Sequence, residues 1–120
     1  AVWHLFPFRY ESEEFNGLSR AQFIKALNAE GIPCSTGYHE LYFDGLISEA
    51  LESRGYQRLF SPQRLKAYKE SLHELKGNKL VCETTAAFRQ SMLLGNQRDM
   101  DDIINAIQKV KTFSAQLAQA

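Results

Sequence analysis

The sequence predicts an α+β fold in which a small sheet of about three strands is covered by helices. Three observations carry that prediction. Residues 2–10 are short, aromatic-rich and apolar at both parities, as in a strand covered on both faces. Residues 20–30 and the stretch from Asp99 to Leu117 carry apolar residues at helical spacing between recognisable start and stop signals. A Pro-marked segment and a short apolar run, each ended by glycine, supply two further strands.

In chain order, Pro7 lacks an N–H and so places the first strand at an edge or near a strand end. An acidic turn from Glu11 to Glu14 follows. Ser19 and Gln22 then form a capping-box pattern, with Phe23, Ile24 and Leu27 on one face and Gly31 one residue past the helix end. Residues 32–38 read as the second strand running into a loop. A helix over 43–55 carries Leu46, Ile47, Ala50 and Leu51 and stops at Gly55. Ser61-Pro62 opens another, with an N-cap and a proline at its first position, a stripe of Leu65, Tyr68, Leu72 and Leu75, and closure at Gly77-Asn78. Residues 81–88 read as a short helix and 91–94 as the third strand, ended by Gly95. In the last helix Asp99, Asp101 and Asp102 lie near the N-terminus and Lys109 and Lys111 further on, matching the helix dipole, above a stripe of Met100, Ile103, Ile104, Ile107, Val110 and Leu117.

A chain of 120 residues suits one domain with one modest core, and residues 1–120 read as a single domain without repeats or low-complexity linkers. With 44% hydrophobic residues and only three prolines and seven glycines, a packed fold is expected rather than a disordered one. Fourteen Lys and Arg balance fourteen Asp and Glu, so no net field draws the chain to nucleic acid or an anionic membrane. Cys34 and Cys82 make no metal-ligand or CxxC pattern and read as buried, reduced, structural thiols. No apolar run approaches the roughly 18 residues of a membrane span. The first residues lack the basic flank and apolar centre of a secretory signal, so a cytoplasmic protein is expected. The missing initiator Met and the immediate entry into a strand suggest a processed or excised piece.

Chemistry-bearing patterns are few. GxGxxG, P-loop, GxSxG and HExxH motifs are absent from the sequence, removing the usual support for dinucleotide, nucleotide, hydrolase-triad and zinc-protease readings. The Asp99, Asp101 and Asp102 group lacks the glycine and distal glutamate of a calcium loop and reads as a solvated helix N-terminus. His4 is a weak candidate base within an aromatic strand. Tyr38, His39, Glu40 and Tyr42 form a polar and aromatic cluster on the loop after the second strand, a place where ligands are commonly bound. Tyr38, His39, Tyr42 and His4 are therefore the candidate substrate-binding residues, set against the plainer reading of a surface loop with an aromatic anchor.

Three blocks in order resemble the C-terminal small domain of DegT/DnrJ-type aminotransferases, pyridoxal-phosphate enzymes of fold type I that aminate keto groups on sugars and cyclitols. Residues 20–38, with Glu30-Gly31-Ile32-Pro33, are similar to the helix, turn and strand leading to that family's substrate-side loop. Cys82-Glu83, Thr85, Gln90, Leu93-Leu94-Gly95, Asp99 to Ile103, Ala106-Ile107 and Lys109 resemble the final strand and helix of its inosose-aminotransferase-like branch, and residues 2–7 the strand that opens the domain. Gly37-Tyr38 stands where many members carry His-Tyr, and residues 43–79 match nothing in the family. The resemblance implies a cap over an active site whose lysine and pyridoxal phosphate belong to a large domain outside this chain. No catalytic or coenzyme-binding residue is then expected here. It also implies a homodimeric parent, a keto-sugar or keto-cyclitol substrate, and glutamate or glutamine as amino donor. A module derived from that domain, serving dimerisation or protein binding alone, is the alternative from another functional class. A small independent enzyme built on His4 or His39 lacks any nucleophile–base pattern.

Overall fold

The computed structural model describes residues 4–119, so the opening residues 1–3 of the first expected strand lie outside the described residues. The chain forms two compact units, Ala1–Gly37 with Thr84–Ala120, and Tyr38–Glu83. The first contains strand β1 (Leu5–Arg9), a 3-10 turn (Ser12–Phe15), helix α1 (Arg20–Ala29), strand β2 (Thr85–Arg89), a second 3-10 turn (Gln90–Leu94), and the C-terminal helices. It is an α+β unit with a small antiparallel sheet. β1 and β2 pair Leu5 with Arg89 through Arg9 with Thr85. The Tyr10 N–H donates to the Thr84 carbonyl at 2.8 Å and the Gln90 N–H to the His4 carbonyl at 3.1 Å. Even-numbered β1 residues therefore exchange the ladder bonds, and Pro7, in a non-bonded pair, forfeits none.

The expected second strand over 32–38 shrinks to one bridge. Ser35 and Ala87 exchange both backbone bonds, at 3.0 and 2.8 Å. The next bonding positions on either side are Pro33, which has no N–H, and Gly37, whose φ of +73° leaves the strand region. The Thr85 carbonyl, which a longer strand would use, instead accepts from the Arg20 guanidinium at 2.9 Å.

The two assignments after residue 80 exchange places. Residues 85–88, expected as the end of a helix, fall in β2, and residues 91–94, expected as a strand, lie in a 3-10 turn. Ala86, Ala87 and Phe88 are all buried, because β2 lies between β1 and Ser35 with both faces covered. Ala86 and Ala87 favour a helix locally, and tertiary pairing overrides that preference. Leu94, by contrast, stays largely exposed.

The two best-marked helices form as expected. In α1 the Ser19 hydroxyl accepts from the Gln22 N–H, and the Gln22 side chain accepts from the Ser19 N–H. At its other end Gly31, at φ +83°, lets the Ile32 N–H reach the Leu27 carbonyl and the Gly31 N–H the Asn28 carbonyl, the two bonds of a Schellman stop. The last helix extends over Gln97–Thr112, with Asn96 as N-cap and the Asp99 carboxylate accepting the Asn96 N–H at 2.8 Å. A Cβ on Gly95 would stand 2.5 Å from Asp99 Oδ2 and 2.7 Å from its Cβ, so this cap requires glycine there. Ile103, Ala106 and Val110 bury the inner face, while Ile104 remains half exposed, making the apolar stripe narrower than expected. A short helix, Ser114–Leu117, follows.

Ten buried residues join these elements into one core, in which Tyr10 stacks on Phe23 at 4.4 Å and Phe15 meets Phe23 edge-on at 5.0 Å. The Tyr10 hydroxyl donates to the Leu18 carbonyl at 2.7 Å, giving the buried ring a polar partner.

The second unit is helical. It starts with a 3-10 turn (Leu41–Phe43) and continues through α2 (Leu46–Glu52), α3 (Arg54–Leu59), α4 (Pro62–Ser71) and α5 (Lys76–Thr84). The helix expected over 43–55 breaks at Ser53, whose hydroxyl accepts from the Tyr56 N–H and restarts the chain as α3, with Gly55 inside it. Ser61 and Pro62 open α4 as expected. That helix ends at Ser71, whose hydroxyl bonds back to the Tyr68 carbonyl, and Gly77-Asn78 falls in the first turn of α5 rather than closing α4. Leu51 is the one buried apolar side chain of this unit among the described residues. No helix of the described residues is long and apolar enough to cross a membrane.

Candidate functional site

The loop-borne candidates gather around the 3-10 turn at 41–43. Glu40 precedes the turn and is the one buried charged side chain among the described residues. Its carboxylate accepts from the Tyr42 hydroxyl at 2.6 Å, and its backbone carbonyl accepts from the Phe43 N–H at 3.0 Å. The Tyr42 ring packs on Phe43 at 4.6 Å and meets the His73 ring edge-on at 5.4 Å. His39 pairs with Asp44 across the outside of the turn. A three-residue turn is thus held by backbone bonds, one internal side-chain hydrogen bond and the exposed contact of His39 with Asp44, and both carboxylates come from within the same short segment.

The electrostatics define what these groups can do. The hydrogen bond to Glu40, then desolvation and the nearby negative charge of Glu40, Cys82 and Glu83, push the Tyr42 phenol up to about 12. It is a hydrogen-bond donor at neutral pH and neither a base nor a nucleophile. Among the described residues neither His39 nor His73 bonds to a serine, threonine or cysteine, so the turn has no activated nucleophile. Burial pushes the Cys34 thiol up, against the opposing backbone bonds from Ala87 and Ser35, and keeps it in its inert form. No group of three or more metal-ligating side chains occurs among the described residues. Asp99 and Asp101 are engaged within their own helix, by the Asn96 N–H and the Gln97 side chain.

Of the four sequence candidates, His39 and Tyr42 belong to the stapled turn. Tyr38 stands just before it, 66% exposed. His4 is exposed next to β1 and lies in the other unit. Asp44 and His73 escape a reading by motif because their pairing depends on the turn and on the return of the chain after α4. Pyridoxal phosphate held as a Schiff base needs a lysine in an enclosed setting. Lys25, Lys66, Lys69, Lys76, Lys79, Lys109 and Lys111 are all exposed on the surface. The described residues do not fit that group, and no chemical step is assigned to them.

Comparison with models of protein families, with curated proteins and with solved structures returned no match for this chain.

Proposed function

We propose that the chain is the C-terminal small domain of a DegT/DnrJ-type aminotransferase that transfers an amino group from glutamate or glutamine to a keto-sugar or keto-cyclitol in the cytoplasm. One observation carries the reading. The blocks that resemble the family are separated by some forty residues of sequence, yet nearly all their residues fall in one folded unit. There Ser35 pairs with Ala87, Arg20 bonds the Thr85 carbonyl, and α1 and the last helix share one core. Residues 43–79, which resemble nothing in the family, lie wholly in the other unit.

In this role the domain works by capping. The turn at 38–42 offers Tyr38, His39 and the Tyr42 phenol toward a polyhydroxylated substrate, and closing the cleft excludes water while the large domain of a homodimeric parent performs the chemistry. The coding sequence upstream of position 1 tests this directly. A large domain bearing a Schiff-base lysine is expected there, and a reading frame that starts near Ala1 without one overturns the proposal. In the parent enzyme, Tyr38→Ala and His39→Ala are expected to raise KM for the keto substrate. Unchanged kinetics in both would remove this turn from the site.

The exposed apolar side chains of the second unit favour a second reading, a protein-interaction module derived from the same domain. Loss of a native partner on alanine substitution there, with transamination absent from any longer form of the protein, would select it.

A further inference from the structure

The chain is neutral overall, but its charge is unevenly distributed. Residues 54–69 carry Arg54, Arg58, Arg64, Lys66 and Lys69 and no carboxylate. All five cations are exposed. Lys66 has Glu70 at 3.8 Å, and no carboxylate among the described residues pairs with the other four. The same stretch borders an apolar groove of about 830 Å³ between α2, α3 and α4, floored by Ile47, Leu51, Tyr56, Phe60, Leu65 and Tyr68. Arg64 lies on its wall. A smaller hollow of about 370 Å³ shares Leu51, Phe60 and Leu65 and is edged by Lys66 and Lys69, with Glu52 its one carboxylate. Cations therefore stand on both sides of a common apolar floor.

We infer that this groove docks an acidic amphipathic segment of a partner protein, whose apolar side chains enter between α2 and α4 while its carboxylates meet Arg64 and Lys69. Charge complementarity selects an acidic occupant, since a basic segment would face the like charge of Arg64 and Lys69, which no carboxylate among the described residues pairs. Concavity selects a polypeptide. A pocket of this volume accepts inserted side chains at i, i+3, i+4 and i+7 of a helix, whereas a lipid surface presents no protruding anchors. This inference does not depend on the aminotransferase reading.

A labelled 16-residue helical peptide with Leu and Phe at the anchor positions and Glu elsewhere is the probe, titrated into the whole chain and followed by fluorescence anisotropy. Saturable binding that weakens with salt is expected, with much weaker binding of the counterpart in which Lys replaces every Glu. The Arg64→Glu, Lys69→Glu double variant changes exposed side chains only and is expected to keep its circular dichroism and weaken binding by about tenfold or more. Tyr68→Ser is expected to weaken it as well. Equal binding of both peptides, or no effect of the charge reversal, overturns the inference. So does binding confined to phosphatidylglycerol vesicles or single-stranded DNA. Self-association of the chain that charge reversal abolishes, with no peptide bound, assigns the face to a second copy and equally overturns it.

Discussion

The two units spend their apolar residues differently. In the first, ten buried residues from one strand, two helices and the intervening loops share one core, and Leu18, Phe23 and Leu27 are at most 1% exposed. In the second, eleven of the fifteen exposed large apolar side chains among the described residues are found, against Leu51 as its one buried apolar side chain among them. Helical amphipathicity is present in both, but only the first unit provides opposing surfaces for its apolar faces. Secondary structure in the second unit therefore rests on capping, by Ser53 and Ser61, more than on burial. It is the part of the molecule that gains most from being covered.

Substitutions sharpen this contrast. Phe23→Ala removes a ring stacked on Tyr10 and edged by Phe15, and is expected to cost about 3–5 kcal/mol in denaturant unfolding. Leu59→Ala, at a side chain 76% exposed, is expected to change stability by less than about 0.5 kcal/mol. Comparable losses would show that the second unit has a core of equal weight. Gly95→Ala forces Asp99 out of its capping position and is expected to cost about 1–3 kcal/mol, whereas Gly77→Ala, with nothing near the added carbon, is expected to be neutral or stabilising. Ser19→Ala should cost about 1 kcal/mol by opening the capping box of α1.

A further effect is one of pH. Desolvation pushes the Tyr10 phenol up to about 12, above the value of 10 that it has when exposed. The neutral, hydrogen-bonded form is favoured by folding, so its contribution is complete below pH 10 and disappears as pH climbs toward 12. Stability measured by denaturant titration is expected to decline over that interval, and less steeply in Tyr10→Phe. An equal decline in both would place the alkaline sensitivity elsewhere.

What the sequence revealed follows the same division. Both ends of α1 and the start of the last helix were legible because their signals are local: Ser19 with Gln22, Gly31, and the acidic residues from Asp99 onward; the stop at Thr112, which leaves Leu117 in a separate short helix, was not. β2 was not, since Thr85 to Arg89 has ordinary helical composition and becomes a strand only by pairing with segments some fifty to eighty residues away. The break at Ser53 was hidden by an apolar pattern that continues through it. At the candidate site, the cluster of Tyr38, His39 and Tyr42 could be found by composition. The bond between Glu40 and Tyr42 and the approach of His73 depend on how the turn folds. The cationic run at 54–69 was concealed by a net charge of zero.

Amide hydrogen exchange, resolved by residue, tests the central contrast most directly. The account predicts slow exchange, governed by global unfolding, at Phe23, Leu27, Ala87, Ala106 and Val110, with amides of α3 and α4 exchanging orders of magnitude faster. Equal protection in α3, α4 and the first unit's core would contradict it.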